Sequence, residues 1–368
     1  MAELFKNIYN EQFINEYASI LKKLNNEFDV ASFNKNIFNS KWKQMELKER
    51  MRHISKTLNS HIKGDFKRQT TVLIDSITEL KIIGRRETSI EFMFLPDFIE
   101  VFGIEDFKTS INTMEFITQF TSCEFAVRPF ILKYPKAMIN QMKVWSLHKH
   151  PMVRRLATEG CRPRLPWAMA LPFLKKDPSP ILPILETLKN DQSESVRRSV
   201  ANNLNDISKD NPNIVYEIAS RWKGKSKEID WVVKHGCRTL LKQGTPKVMQ
   251  LFGFGSTDLI TVKNFQLLTP KVKIGGVLEF SFQLNNKSKN STLIRLEYGI
   301  YYQKANGSLS KKVFKISEKS YAENSTTKII RKQSFKIITT RKFHIGLHQV
   351  SIIINGQEVS LLDFNLTN

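Results

Sequence analysis

Acidic residues are in short supply in this 368-residue sequence. It has 35 Asp and Glu against 57 Lys and Arg, a formal net charge of +22. A field of that size attracts polyanions, nucleic acid first and an anionic membrane surface second. Cysteine is scarcer still. Cys123, Cys161 and Cys237 stand far apart, with no CxxC pair and no His at a metal-ligand spacing. They read as buried, reduced thiols and leave no metal site, which fits a cytoplasmic setting. Long apolar runs are missing too. None approaches the ~20 residues that span a bilayer, and Met1 to Phe13 mixes polar with apolar residues where a signal peptide would need an apolar core. The chain is therefore expected to be soluble, with no membrane partner and no cofactor. The GxxxxGK[ST], HExxH and GxSxG patterns are absent, which removes ATPase, metalloprotease and α/β-hydrolase chemistry.

Two hydrophobic periods divide the chain. In residues 1–255 apolar side chains recur at three and four positions, as in Phe13, Tyr17, Ile20, Leu21 and Leu24, and Pro or Gly breaks the pattern into helices mostly of 10 to 18 residues. This predicts paired helices. After Gly255, seven segments favour β-branched and aromatic residues: 261–268, 276–285, 291–303, 309–317, 326–335, 347–354 and 357–366. Turn signals separate them, among them Asn306-Gly307 and Asn355-Gly356. Seven short strands predict an immunoglobulin-like β-sandwich over 261–368. That segment holds 17 Lys and Arg against 6 Asp and Glu, while the other 260 residues hold 40 and 29. The smaller part is thus more than twice as densely positive and reads as a clamp on a phosphate backbone, or else as a sandwich kept soluble by edge lysines.

The helical part repeats itself. His150 opens HPMVRRLATEGCRPR and Ser193 opens SESVRRSVANNLNDI, so that Val153-Arg154-Arg155 returns as Val196-Arg197-Arg198, 43 positions on; a weaker echo, WVVKHGCRTLL, begins at Trp231. Periods near 40 in helical sequence predict a HEAT-like repeat solenoid. On helical wheels Val153, Leu156, Ala157 and Gly160 form one apolar stripe, and Val196, Val200, Leu204 and Ile207 the next. Arg155, Glu159 and Arg162, then Arg198, Asn202, Asn205 and Asp206, point away from those stripes. An Arg at such a position is also commonly a scaffold residue, bonded to a loop or a neighbouring acid.

The run from Cys123-Glu124-Phe125 through His150-Pro151 and TEGCRPRLPW to SVRRSVANNLNDISKDNP resembles the DNA alkylation repair glycosylases of the AlkC/AlkD superfamily, the AlkC branch in particular. The similarity covers most of residues 1–255, and some AlkC-like proteins end in an immunoglobulin-like domain. The resemblance implies hydrolysis of the N-glycosidic bond of cationic alkylated bases such as N3-methyladenine in double-stranded DNA, without metal and without full extrusion of the base. Carried over by position, it implies Glu124, Glu159 and Asp206 as the acidic catalytic residues, with Trp167 and Arg155 beside the lesion. At Asn202 the AlkD branch would have an aromatic residue, so AlkD detail does not transfer.

The chemistry suits these residue types. A methylated base already carries a positive charge, so it leaves without protonation and the sugar becomes oxocarbenium-like. Carboxylates stabilise that cation and orient water. An indole face attracts a cationic base more than a neutral one. Trp167 could equally fill core behind Pro166, and the acids could be helix caps. Arg162, Arg164, Arg198, Lys234 and Arg238 are expected to contact phosphates. The competing reading is a non-catalytic HEAT-repeat scaffold that binds nucleic acid, or an enzyme of RNA or of another modified base. A monomer, nucleoid-associated in a bacterial-type cytoplasm, is the expectation.

Overall fold

Helices begin where the sequence supplies caps. Asn10, Asp29, Asp65 and Asp106 each accept a hydrogen bond from a backbone N–H three residues on, and Pro135, Pro151 and Pro212 each occupy a first helical turn, where a missing N–H costs nothing. The computed structural model describes residues 4–338 and 341–368. Within it the two copies of the repeat and its echo are the second members of successive helical pairs. These are Pro135–Trp145 with Pro151–Glu159, Leu182–Leu188 with Glu194–Ile207, and Pro212–Trp222 with Lys227–Gly236. The three second helices pack on one another in chain order, and both predicted apolar stripes are buried. This is the helical-repeat architecture that the 43-residue spacing predicts.

All seven expected strands form, joined by one very short one. They are β1 (Ile260–Leu267), β2 (Lys271–Lys273), β3 (Val277–Asn286), β4 (Thr292–Gln303), β5 (Leu309–Tyr321), β6 (Ser325–Ser334), β7 (Gly346–Ile354) and β8 (Gln357–Thr367). One sheet has the order β1-β3-β6, the other β2-β8-β7-β4-β5. Phe280, Phe282, Ile300, Tyr302, Ile352 and Phe364 are among the side chains that fill the core between them. Sequence missed β2 because three residues are too few to show a period.

The compact units divide at Gly236 and Cys237, not where the hydrophobic period changes at Gly255. Helices Arg238–Gln243 and Pro246–Leu251 therefore belong with the sandwich. The reason is a backbone contact. The β7–β8 turn at Asn355-Gly356 has φ of 46° and 81°, and Gly356 packs so closely on Gly244 that a Cβ there would lie 2.1 Å from the Gly244 Cα. Asn355 adds a hydrogen bond from its Nδ2 to the Gly255 carbonyl. The segment LLKQGTPKVMQLFGF, helical in period, is thus structurally part of the second unit. Cys123, Cys161 and Cys237 are free and buried.

Gly356→Ala should lower stability by about 2–4 kcal/mol, since overpacking and a left-handed φ act together. Gly275→Ala has a similar φ of 91° but open space around it, and should cost about 1 kcal/mol. Equal losses for both in thermal unfolding would show that the Gly244–Gly356 contact is not tight.

Candidate active site

The three predicted acids lie on one line of alternating charge. Glu124 stands in the turn before helix Val127–Lys133, Glu159 ends Pro151–Glu159, and Asp206 is in the last turn of Glu194–Ile207. Arg155 donates from Nη1 to Glu124 Oε2 at 2.9 Å and holds Glu159 Oε1 at 3.8 Å from Nη2. Arg162 donates from Nη1 to Glu159 Oε1 at 2.6 Å and from Nε to Asp206 Oδ2 at 2.8 Å. Lys209 closes the line with Nζ 3.0 Å from Asp206 Oδ1. Three carboxylates thus alternate with three cations.

Burial separates the members. Glu159 and Asp206 are only 5% and 1% exposed, and each of their oxygens is engaged, Glu159 Oε2 accepting from the Ser199 hydroxyl at 2.5 Å. Glu124 is half-buried. Its Oε2 accepts from Ser122 and Arg155, while no hydrogen bond reaches Oε1 among the described residues. Of the three carboxylates, Glu124 keeps the most contact with solvent. Burial opposes the charge on Arg162, but Glu159 and Asp206 outweigh it and raise its pKa above the ordinary value.

Arg162 therefore corrects the expectation of a phosphate contact. At 6% exposure its guanidinium is the shared counter-ion of two buried acids. The helical wheels were right that Glu159 and Asp206 leave the apolar stripes. They did not reveal that the loop after Glu159 folds back over that face and buries it. Arg164 is ion-paired through both Nε and Nη2 with Asp210. Arg198 is exposed, pairs with Glu194 on its own helix, and lies 6.0 Å from the centroid of the Trp231 ring. Trp231 in turn stacks on His235 at 5.0 Å. Lys234 is exposed on the same helix. Arg238 falls in the second unit, the other predicted residues in the first.

Trp167 is 67% exposed and has φ of 62°, a left-handed conformation that costs a non-glycine residue about 1–3 kcal/mol and needs surrounding support. It is not a core tryptophan. Two cations that sequence reasoning passed over hold its loop. Arg128, fully buried, donates from Nε to the Met169 carbonyl at 2.7 Å and from Nη1 to those of Gly160 and Arg162 at 3.0 and 2.9 Å. Burial pushes its pKa down to about 10; carbonyl oxygens, not carboxylates, carry its charge. Lys48, from helix Leu47–His61, donates to the Trp167 carbonyl and lies 4.7 Å from the centroid of the Phe125 ring. The indole's backbone is thereby tied to the segment that carries Glu124. Arg128 sits within the motif Glu124 to Phe130, which was a usable signal; Lys48 had none.

Replacing Arg162 by Met should strand two buried carboxylates and destabilise the protein by about 3–5 kcal/mol in urea unfolding. Arg164→Ala, at a partly solvated pair, should cost under about 1 kcal/mol. A loss below 1 kcal/mol for Arg162→Met would mean that solvent reaches Glu159 and Asp206.

Comparison with known proteins gives this geometry a context. Residues 104–235 match the family model described as "DNA alkylation repair enzyme", and residues 261–368 match "Uncharacterised protein YhaZ, C-terminal Ig-like domain". The chain is 41% identical to the protein YhaZ of Bacillus subtilis (strain 168) over 366 residues, covering all of both chains. Its structure is similar to that of the Pseudomonas fluorescens alkylpurine DNA glycosylase AlkC bound to DNA containing an abasic site analog. The TM-score is 0.94 and the identity 31%, with the whole of each chain covered. Helical repeats, immunoglobulin-like sandwich and end-to-end similarity agree: the chain belongs to the DNA alkylation repair enzymes, in the AlkC branch that ends in an immunoglobulin-like domain.

Proposed function

We propose that this protein is a DNA N-glycosylase that releases cationic alkylated purines, N3-methyladenine among them, from double-stranded DNA. The observation that carries the reading is Glu124, a carboxylate left partly open at the end of an ion-pair line in a strongly basic chain, with Lys48 tying the backbone of the exposed Trp167 to the adjacent Phe125. Acids on a surface that meets phosphates weaken binding unless a local positive charge rewards them. A scaffold that only gripped nucleic acid would gain nothing from the open Glu124, whereas Glu159 and Asp206 are buried and paired. A methylated base, and the sugar cation it leaves behind, supply that charge.

The chemistry follows from where charge moves. When the bond between C1′ and the base nitrogen breaks, its electron pair goes to the base, which departs neutral, and the positive charge passes to the sugar. Glu124, with Oε1 free to face that sugar, stabilises the cation as it develops. Water adds to C1′ and gives up its proton to a carboxylate. Glu159 and Asp206, held by Arg162, anchor the line from behind, and Arg155 fixes the Glu124 carboxylate. The Trp167 indole favours a cationic base over neutral adenine through its ring face, by about 1–2 kcal/mol once water is excluded.

The sandwich fits a second hold on the phosphate backbone. It carries a cavity of about 380 Å³ whose lining includes Lys304, Lys311, Lys312, Arg341, Lys342 and His344 and no acid, although Lys311 is paired with Glu358 outside it. Arg341 lies 4.1 Å from the centroid of the Tyr302 ring, which keeps the guanidinium at the rim.

Incubation with methylated duplex DNA should release N3-methyladenine, read by chromatography. Glu124→Gln should slow release by about a hundredfold or more, with melting temperature and DNA affinity kept. Tight binding with no released base would leave only the scaffold. Joint replacement of Lys304, Lys312 and Lys342 by Ser should flatten the salt dependence of binding by a slope of about 2–3, given about 0.9 per phosphate contact. An unchanged slope would remove the sandwich from the DNA.

A further inference from the structure

We propose that Lys48 is the positioning residue for Trp167, the clasp that keeps its indole turned outward and at a fixed distance from Glu124. The inference rests on the reading of Trp167 as a lesion contact but goes beyond it, because no motif points to residue 48.

The loop that carries Trp167 is fixed at two depths. Arg128 holds it from below, through the carbonyls of Gly160, Arg162 and Met169. None of those bonds reaches Trp167 itself, which keeps a left-handed backbone and an exposed ring. The direct hold comes from Lys48, whose ammonium bonds to the Trp167 carbonyl across 119 positions of sequence. That ammonium forms no ion pair among the described residues. Asp97 and Glu100, which line the same cavity as Lys48, are taken by Arg52 at 2.8 and 2.6 Å. Its second contact is the face of Phe125, which follows Glu124 in the chain. One cation thus bridges the backbone of the aromatic residue and the segment with the open carboxylate. A lysine whose acidic neighbours are already engaged goes where carbonyl and ring offer the remaining negative potential. Holding two reacting-side groups at a set separation before the ligand arrives is the kind of contribution whose loss slows the chemical step more than it weakens binding.

Lys48→Met, which keeps the stem and removes the ammonium, tests this in the full-length protein. The Trp167 signal is isolated by subtracting the fluorescence anisotropy decay of Trp167→Phe, without DNA present. Lys48→Met should make that indole reorient faster on the nanosecond scale, and Lys48→Arg should restore the slower decay. In single-turnover release of N3-methyladenine, Lys48→Met should slow the step by between about tenfold and a hundredfold, with affinity for undamaged duplex changed less than about twofold. In a Trp167→Phe background the same substitution should add no further loss. An unchanged Trp167 decay overturns the proposal. So does a loss that persists in the Trp167→Phe background with a flatter salt dependence, the mark of a plain phosphate contact. Should Trp167→Phe alone release base at the parental rate, the lesion-contact reading falls by itself, and the anisotropy decay still decides whether Lys48 holds the ring.

Discussion

Two carboxylates buried close together in their ionised form need a cation to share, and Arg162 meets that need. Its guanidinium lies between Glu159 and Asp206, which come from the second helices of consecutive repeats. A single side chain thereby joins the repeats electrostatically as well as fixing the acids in space. The loop that delivers Arg162 must fold back over the polar face of the helices, and that requirement shapes everything around it. It buries the acids, brings Arg128 beneath the loop, and leaves Trp167 at the outer edge.

The loop is a dense structure for its length. The carbonyls of Gly160, Arg162, Trp167 and Met169 accept from cations of other helices, which holds the chain there without regular secondary structure. Arg128 is buried without an acid and relies on carbonyl oxygens alone, an arrangement that ties rigidity to one side chain. The energy stored in the left-handed Trp167 is offset by these contacts. Backbone strain next to a chain of ion pairs, held from several sides, is a common form of preorganisation.

The sandwich follows different physics. Alternation puts Phe280, Phe282, Ile300 and Ile352 into its core and leaves lysine on the outer positions of β5, whose exposed pattern matches its sequence. Its attachment to the last two helices depends on two glycines pressed backbone to backbone, so the boundary of this unit lies earlier than composition implies.

The sequence by itself determined the architecture, since periods of 3.6 and 2 are local properties that each segment carries within itself. The repeat at Val153 and Val196, the caps, the Asn355-Gly356 turn and seven of the eight strands were all readable for that reason. The acids and Trp167 were singled out by the family resemblance, not by these periods. Only the tertiary structure decided which charges stay open to solvent and which face each other. Arg162 and Asp206 are 44 positions apart, Arg128 and Met169 are 41 apart, and Lys48 and Trp167 are 119 apart. A helical wheel marks a side as polar. Whether that side meets solvent or is covered depends on chain segments from elsewhere, and the pairing of buried charge is settled where those segments meet.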